Sequence, residues 1–285
     1  MHPIMHAEKK RENRGVAGAR RTTARPRDES PVDAASLQPA EIIPPDPEVV
    51  ASVKGHPNLP SSGHRKFPTR VRGLLPFRPV ASTPRENCVG RSRAFWRFFY
   101  PILQQTFHHQ LQGVDVERFY AAINCVKPSF IRVEADELTY NLHIMLRFEI
   151  EQDLIESKVQ PEDLPALWNQ KMEEYLGITP TSDAEGVLQD VHWSFGAFGY
   201  FPTYTLGNLY SVQFFEQAKL EIPRLEEGIA AGQLLELRRW LEQKIHRWGR
   251  MFTPDHLARR VTGTTISPDP FLSYVEKKYG EIYQL

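Results

Sequence analysis

"EADELTYNLHIMLRFEIEQDLIES" runs from Glu134 to Ser157, and its reading decides the fold class. Leu138, Leu142, Met145, Leu146 and Ile150 recur at three- and four-residue spacing, which places them on one face of an α-helix. The acids at its start suit the positive end of a helix dipole. The neighbouring segments carry the same period. "STPRENCVGRSRAFWRFFYPILQQTFHHQLQ" opens on a Ser/Thr/Pro start signal and spaces Val89, Phe95, Trp96, Phe99, Ile102 and Leu103 helically. Pro101 is expected to kink that helix or split it in two. "DVERFYAAINCV" reads as a short helix capped by Asp115, and "PEDLPALWNQKMEEYLG" as one that stops at Gly177. Five more segments follow, "LGNLYSVQFFEQAKLE", "IPRLEEGIAAG", "QLLELRRWLEQKIHRWG", "TPDHLARRV" and "SPDPFLSYVEKKYG", each with its own cap or stop. Only "PSFIRVE", residues 128–134, looks extended. The expectation is an all-α body over residues 81–285.

The residues before it differ in kind. Residues 1–80 hold 14 Lys and Arg against 8 Asp and Glu, and 12 of the 23 prolines, with no sustained period. They read as a basic, Pro-rich, disordered extension, because such a composition cannot bury enough apolar surface to offset ordering. The formal net charge of the whole chain is zero, which argues against a nucleic-acid partner. No apolar run matches a bilayer, and no signal-peptide core stands at the start, so neither a membrane nor an export role is expected. Two cysteines, Cys88 and Cys125, are too few for a disulfide framework, and a reducing, cytoplasmic setting fits them.

Three stretches carry chemistry. In "IRVEADE", Arg132 offers a planar donor fork for a carboxylate, or else pairs on the surface with Glu134 or Asp136. In "GVLQDVHW", Asp190 and His192 alternate beside Trp193, the arrangement of an oriented acid/base or of a structural histidine. In "GAFGYFPTYTLGNL", Tyr200 and Tyr204 bring hydroxyls that can stabilise a developing oxyanion, or simply pack in an aromatic turn.

In this order the three stretches, together with "ENCVGRSRAFWRFFYPILQ" and "SPDPFLSYVEKKYGEIYQL", resemble the C-terminal portion of the carboxypeptidase Taq family of zinc metallocarboxypeptidases, over about residues 85–285. The resemblance implies a helical fold around a deep groove, in which a metal-bound water, on zinc or cobalt, attacks the last peptide bond. It implies that Arg132 binds the peptide's C-terminal carboxylate with Asp190 beside it, that His192 lies near the scissile bond, and that Tyr200 and Tyr204 assist the transition state. Peptide C-termini are the implied ligands, and homodimers are common in the family.

The family's H-E-x-x-H helix and H-E-S segment should precede "ENCVGRSRAFW", yet the chain has no His-Glu dipeptide and reads "RPVASTPR" there. "HPIMH", His2 to His6, has the histidine spacing but Pro3 in place of the glutamate, and His108 and His109 are adjacent. The expectation is therefore a family portion joined to about 80 unrelated residues, with no metal bound and no turnover, or alternatively a non-catalytic partner that binds peptide C-termini or pairs with a full-length family enzyme.

Overall fold

The computed structural model describes residues 84–285. The expectation for residues 1–80, and the "HPIMH" motif within them, lie outside the described residues. A π-helical turn, Pro84–Gly90, leads into nine α-helices: α1 Arg93–Thr106, α2 Val116–Ile123, α3 Tyr140–Ile155, α4 Leu164–Leu176, α5 Pro202–Glu221, α6 Leu225–Ala230, α7 Leu235–Lys244, α8 Pro254–Thr262 and α9 Asp269–Tyr283. Among the described residues there is no strand, so the body is all-α.

Two helices form its axis. Helix α5 buries a continuous run from Gly207 to Phe215 and packs against α3, α8, α9 and the π-helical turn. Helix α3 packs on α4 as well as on α5, and buries every residue from Asn141 to Arg147. The expected single apolar face of α3 is therefore only half of it. Leu142, Leu146 and Ile150 fill the core, while Asn141, His143, Arg147 and Glu151 are buried on other sides. Each of these polar groups must find a partner inside the protein. Asn141 does so directly, accepting from Asn208 of α5 at 2.9 Å.

Three further expectations are corrected. "PSFIRVE" forms no strand, and its last part closes into a single helical turn, Arg132–Glu134. Pro101 does not split the segment into two helices; it lies inside α1, at an exposed position. The chain breaks earlier, before Ser92, whose hydroxyl accepts from the Phe95 amide and caps α1. Helix α3 begins at Tyr140 rather than Glu134, because Asp136 captures the approach. Its Oδ1 accepts the amides of Leu138 and Thr139, and its Oδ2 accepts the Thr139 hydroxyl and the Lys127 amide. The same segment is tied to α9 by a buried ion pair, Glu137 to Lys278 at 2.6 Å.

Asp136 thus satisfies three backbone amides in the segment that carries Arg132. Replacing Asp136 with Ala is expected to lower stability by about 1–2 kcal/mol, read as a lower urea midpoint with an unchanged slope. An unchanged midpoint would mean that water serves those amides equally well.

Candidate functional site

Asp190 is the centre of the site. It lies on the loop between α4 and α5 and receives two guanidinium groups. Arg132 donates from Nε and Nη2 at 2.9 and 2.8 Å, and Arg147 donates from Nε at 2.6 Å. All three side chains are at most 9% exposed, so the carboxylate and both cations are withdrawn from water together. Further donors are directed within the protein. Arg132 Nη1 donates to the Tyr140 hydroxyl at 3.0 Å. Arg147 donates to the His143 carbonyl at 2.8 Å and to Gln189 Oε1 at 3.3 Å. Aromatic faces complete the seat: Phe201, fully buried, lies under both guanidiniums, and Trp168 lies 4.4 Å from Arg147.

These contacts set the protonation states. Burial raises the Asp190 carboxyl, but the hydrogen bonds and charges of the two arginines overcome it and hold the group at about 2. Burial pulls Arg147 down to about 10 in spite of Asp190, whereas Arg132, less deeply buried, is driven upward by its bonds to Asp190 and Tyr140. Both arginines remain cationic at neutral pH. Burial and the adjacent Arg147 depress His143 to about 3, so it is neutral. His192 is also lowered, first by burial and also by the Arg132 charge, against the opposing pull of Asp190.

His192 sits beside this cluster. Its Nδ1 is 3.3 Å from Asp190 Oδ1 but lies outside hydrogen-bond direction, so Asp190 acts on it as a charge. Its Nε2 shares a hydrogen bond with the Tyr204 hydroxyl at 3.1 Å. Tyr200 joins through its ring, 5.8 Å from His192 and 5.3 Å from Tyr204. The structure thus gathers Arg132, Asp190, His192, Tyr200 and Tyr204 from three separate segments. Neither Glu134 nor Asp136 pairs with Arg132: Glu134 is exposed, and the oxygens of Asp136 serve amides. The Asp190 carboxylate faces its own arginines, so what it holds is Arg132 rather than an anionic ligand.

Sequence reasoning missed a second set of residues. Tyr140, His143, Arg147 and Glu151 follow one another at spacings of three and four along α3, a polar stripe in which Tyr140 meets Arg132 while Arg147 and Glu151 meet the loop. The stripe was present in the sequence, at helical period, on a helix already rich in apolar residues. A separate cavity of about 760 Å³, lined by Cys88, Arg93, Lys219 and Lys278 among others, contains none of the site residues. Burial pushes the Cys88 thiol far up, which marks it as a packed group.

The sequence matches the family described as "Carboxypeptidase Taq (M32) metallopeptidase" over residues 81–279. The chain belongs to this family. It is similar to Thermostable carboxypeptidase 1 of Thermus thermophilus, 50% identical over 198 residues that cover 70% of this chain and 39% of that one. It is 43% identical over 200 residues to Carboxypeptidase 1 of Bacillus subtilis, covering 70% of this chain and 40% of the relative. Among solved structures, a family carboxypeptidase from Deinococcus radiodurans R1 superposes with a TM-score of 0.71 at 43% identity, covering 73% of this chain and 42% of that chain. The chain therefore spans about two fifths of the length of the relatives it matches. Among the described residues, no helix is long and apolar enough to cross a membrane.

The metal of a metallopeptidase does not fit the donors described. No group of three or more His, Cys, Asp or Glu converges among the described residues. His143 has Arg147 against its ring at 3.5 Å, and a cation there opposes a second one. His108 and His109 are consecutive, with exposed side chains.

Two measurements follow. Replacing Asp190 with Asn leaves two buried guanidiniums around a neutral acceptor, and is expected to cost about 3–5 kcal/mol in urea unfolding. For His143 the folded value lies below the unfolded one, so its stabilising contribution is present above about pH 6.5 and is lost as pH falls toward about 3. The wild-type protein should therefore lose about 2 kcal/mol more than His143→Gln between pH 7 and pH 5. Parallel pH curves for the two proteins would contradict a buried neutral His143.

Proposed function

We propose that this chain recognises the C-terminal carboxylate of peptides through Arg132, and that by itself it does not hydrolyse them. The observation that carries the reading is an unbalanced charge in the site. Two guanidiniums surround one carboxylate, while burial lowers His192 and disfavours its charged form, so the cluster holds an excess of one positive charge. Arg132 directs three of its five N–H donors to Asp190 and Tyr140, which leaves one N–H on each Nη for an incoming carboxylate. A peptide carboxylate is the anion that the family's activity presents.

The remaining groups then have defined work. Asp190 and Tyr140 fix the plane of the Arg132 fork. Phe201 keeps water from the far side of both arginines. With His192 Nε2–H donating to the Tyr204 hydroxyl, Tyr204 can donate its own proton to an oxygen that gains negative charge at the next peptide bond. A bound metal supplies the nucleophile and polarises the carbonyl in a metallopeptidase. The sequence contains no H-E-x-x-H and no His-Glu dipeptide to supply that part, so the chain's own residues bind and polarise without generating a hydroxide.

The test is calorimetric titration of the full chain with a short peptide bearing a free C-terminus and with the same peptide amidated. The free acid is expected to bind about tenfold or more tightly, and Arg132→Gln to abolish the difference. Zinc or cobalt added to the same samples should release no C-terminal residue. Equal binding of acid and amide would overturn the recognition reading, and metal-dependent release would overturn the inactive one.

A further inference from the structure

Glu151 is the last member of the polar stripe on α3, and it is 1% exposed. Its Oε1 accepts the Trp193 indole N–H at 2.9 Å, and its Oε2 accepts the Gly199 amide at 3.1 Å. Those donors stand at the two flanks of one tight reversal. The turn passes through Gly196 and Gly199 in left-handed backbone, φ +77° and +76°, where a side chain would strain it. Trp193 stacks on Phe198 across the turn and meets Trp168 and Phe201 edge-on. His192 directly precedes the first donor, and Tyr200 directly follows the second.

We propose that Glu151 is a positioning residue: a buried carboxylate clasp that fixes both flanks of the 193–199 turn and thereby sets the contact between His192 and Tyr204. The significance of that contact rests on the reading of His192 and Tyr204 given above, whereas the clasp itself does not.

No cation answers this carboxylate among the described residues. Arg147, one turn earlier on α3, is directed to Asp190, the His143 carbonyl and Gln189. Lys171 of α4 binds Glu149 and Glu174, and Tyr175 binds Glu149. His192 on the loop is turned to Tyr204 and Asp190. Burial without a counter-ion pushes Glu151 up to about 7, against the downward pull of its two N–H donors. Above neutrality the group is an ionised acceptor for both donors. Below it, one oxygen carries a proton, and the two-point clasp loosens. The global effect has the opposite sign. A raised carboxyl contributes stability that is fully present below about pH 4.5 and is lost as pH rises through about 7. A carboxyl that only packed there would give the stability effect without linking its two N–H donors to one titration.

The experiment is ¹H–¹⁵N NMR of the full chain from pH 5 to 9, following the Trp193 indole N–H and the Gly199 amide. In the wild type both signals should titrate together, with a midpoint near 7, and Glu151→Gln should flatten both. Trp193→Phe removes only one donor, and should shift the Gly199 midpoint upward while the titration persists. It also keeps the test open if Glu151→Gln does not fold. Flat wild-type signals, unrelated midpoints, or a titration that survives in Glu151→Gln would each overturn the clasp. No peptide enters this measurement, so a failed peptide titration would leave its outcome standing.

Discussion

The site depends on one buried carboxylate held between two arginines. Withdrawing three charges from water costs several kcal/mol per ion, and the cost is met only where geometry is close to ideal. Asp190 provides that geometry through one two-point contact to Arg132 and a short bond to Arg147. The three residues come from three places: the turn before α3, the middle of α3 and the loop before α5. Their pairing therefore fixes the relative position of those segments, and His192, two residues from Asp190, is placed with them. The hydrogen bonds of the stripe on α3, from Tyr140 to Glu151, continue the same attachment along the helix.

Much of the helical body was legible in the sequence for local reasons. Asp115 accepts the Arg118 amide where a cap was expected, and Gly177 takes the left-handed conformation that ends α4. These are interactions within a few residues. What was illegible joins distant positions. Arg132 and Asp190 are 58 residues apart, so the choice between a surface pair and a buried one could not be made from "IRVEADE" alone. Ile131 is extended, as "PSFIRVE" looks, but Arg132–Glu134 close into a turn in which Arg132 is held by Asp190 and Tyr140. The polar stripe of α3 escaped notice because an apolar period identifies a helix without asking what its other side meets.

The family resemblance gave the order of the motifs, and the geometry gives a physical reason for that order. "IRVEADELTY" supplies the arginine, the pinning Asp136 and Tyr140, while "LRFEIE" supplies the second arginine and the clasp. "GVLQDVHW" supplies the shared carboxylate and the histidine. The glycines and aromatic rings that follow turn the chain tightly enough to bring Tyr200 and Tyr204 back onto His192. A stretch dense in Gly and aromatics, without a period of its own, is thus the loop that closes a charged cluster.

The most direct test of Asp190 as the shared anchor is a double-mutant cycle measured by urea unfolding at pH 7. It pairs Asp190→Asn with Arg132→Gln, and Asp190→Asn with Arg147→Gln. If one carboxylate holds both arginines, each pair should show a coupling energy above about 1 kcal/mol, as expected for residues in one network. Additive effects in either cycle, within about 0.3 kcal/mol, would mean that the arginine is held by something other than Asp190, and would contradict the shared anchor.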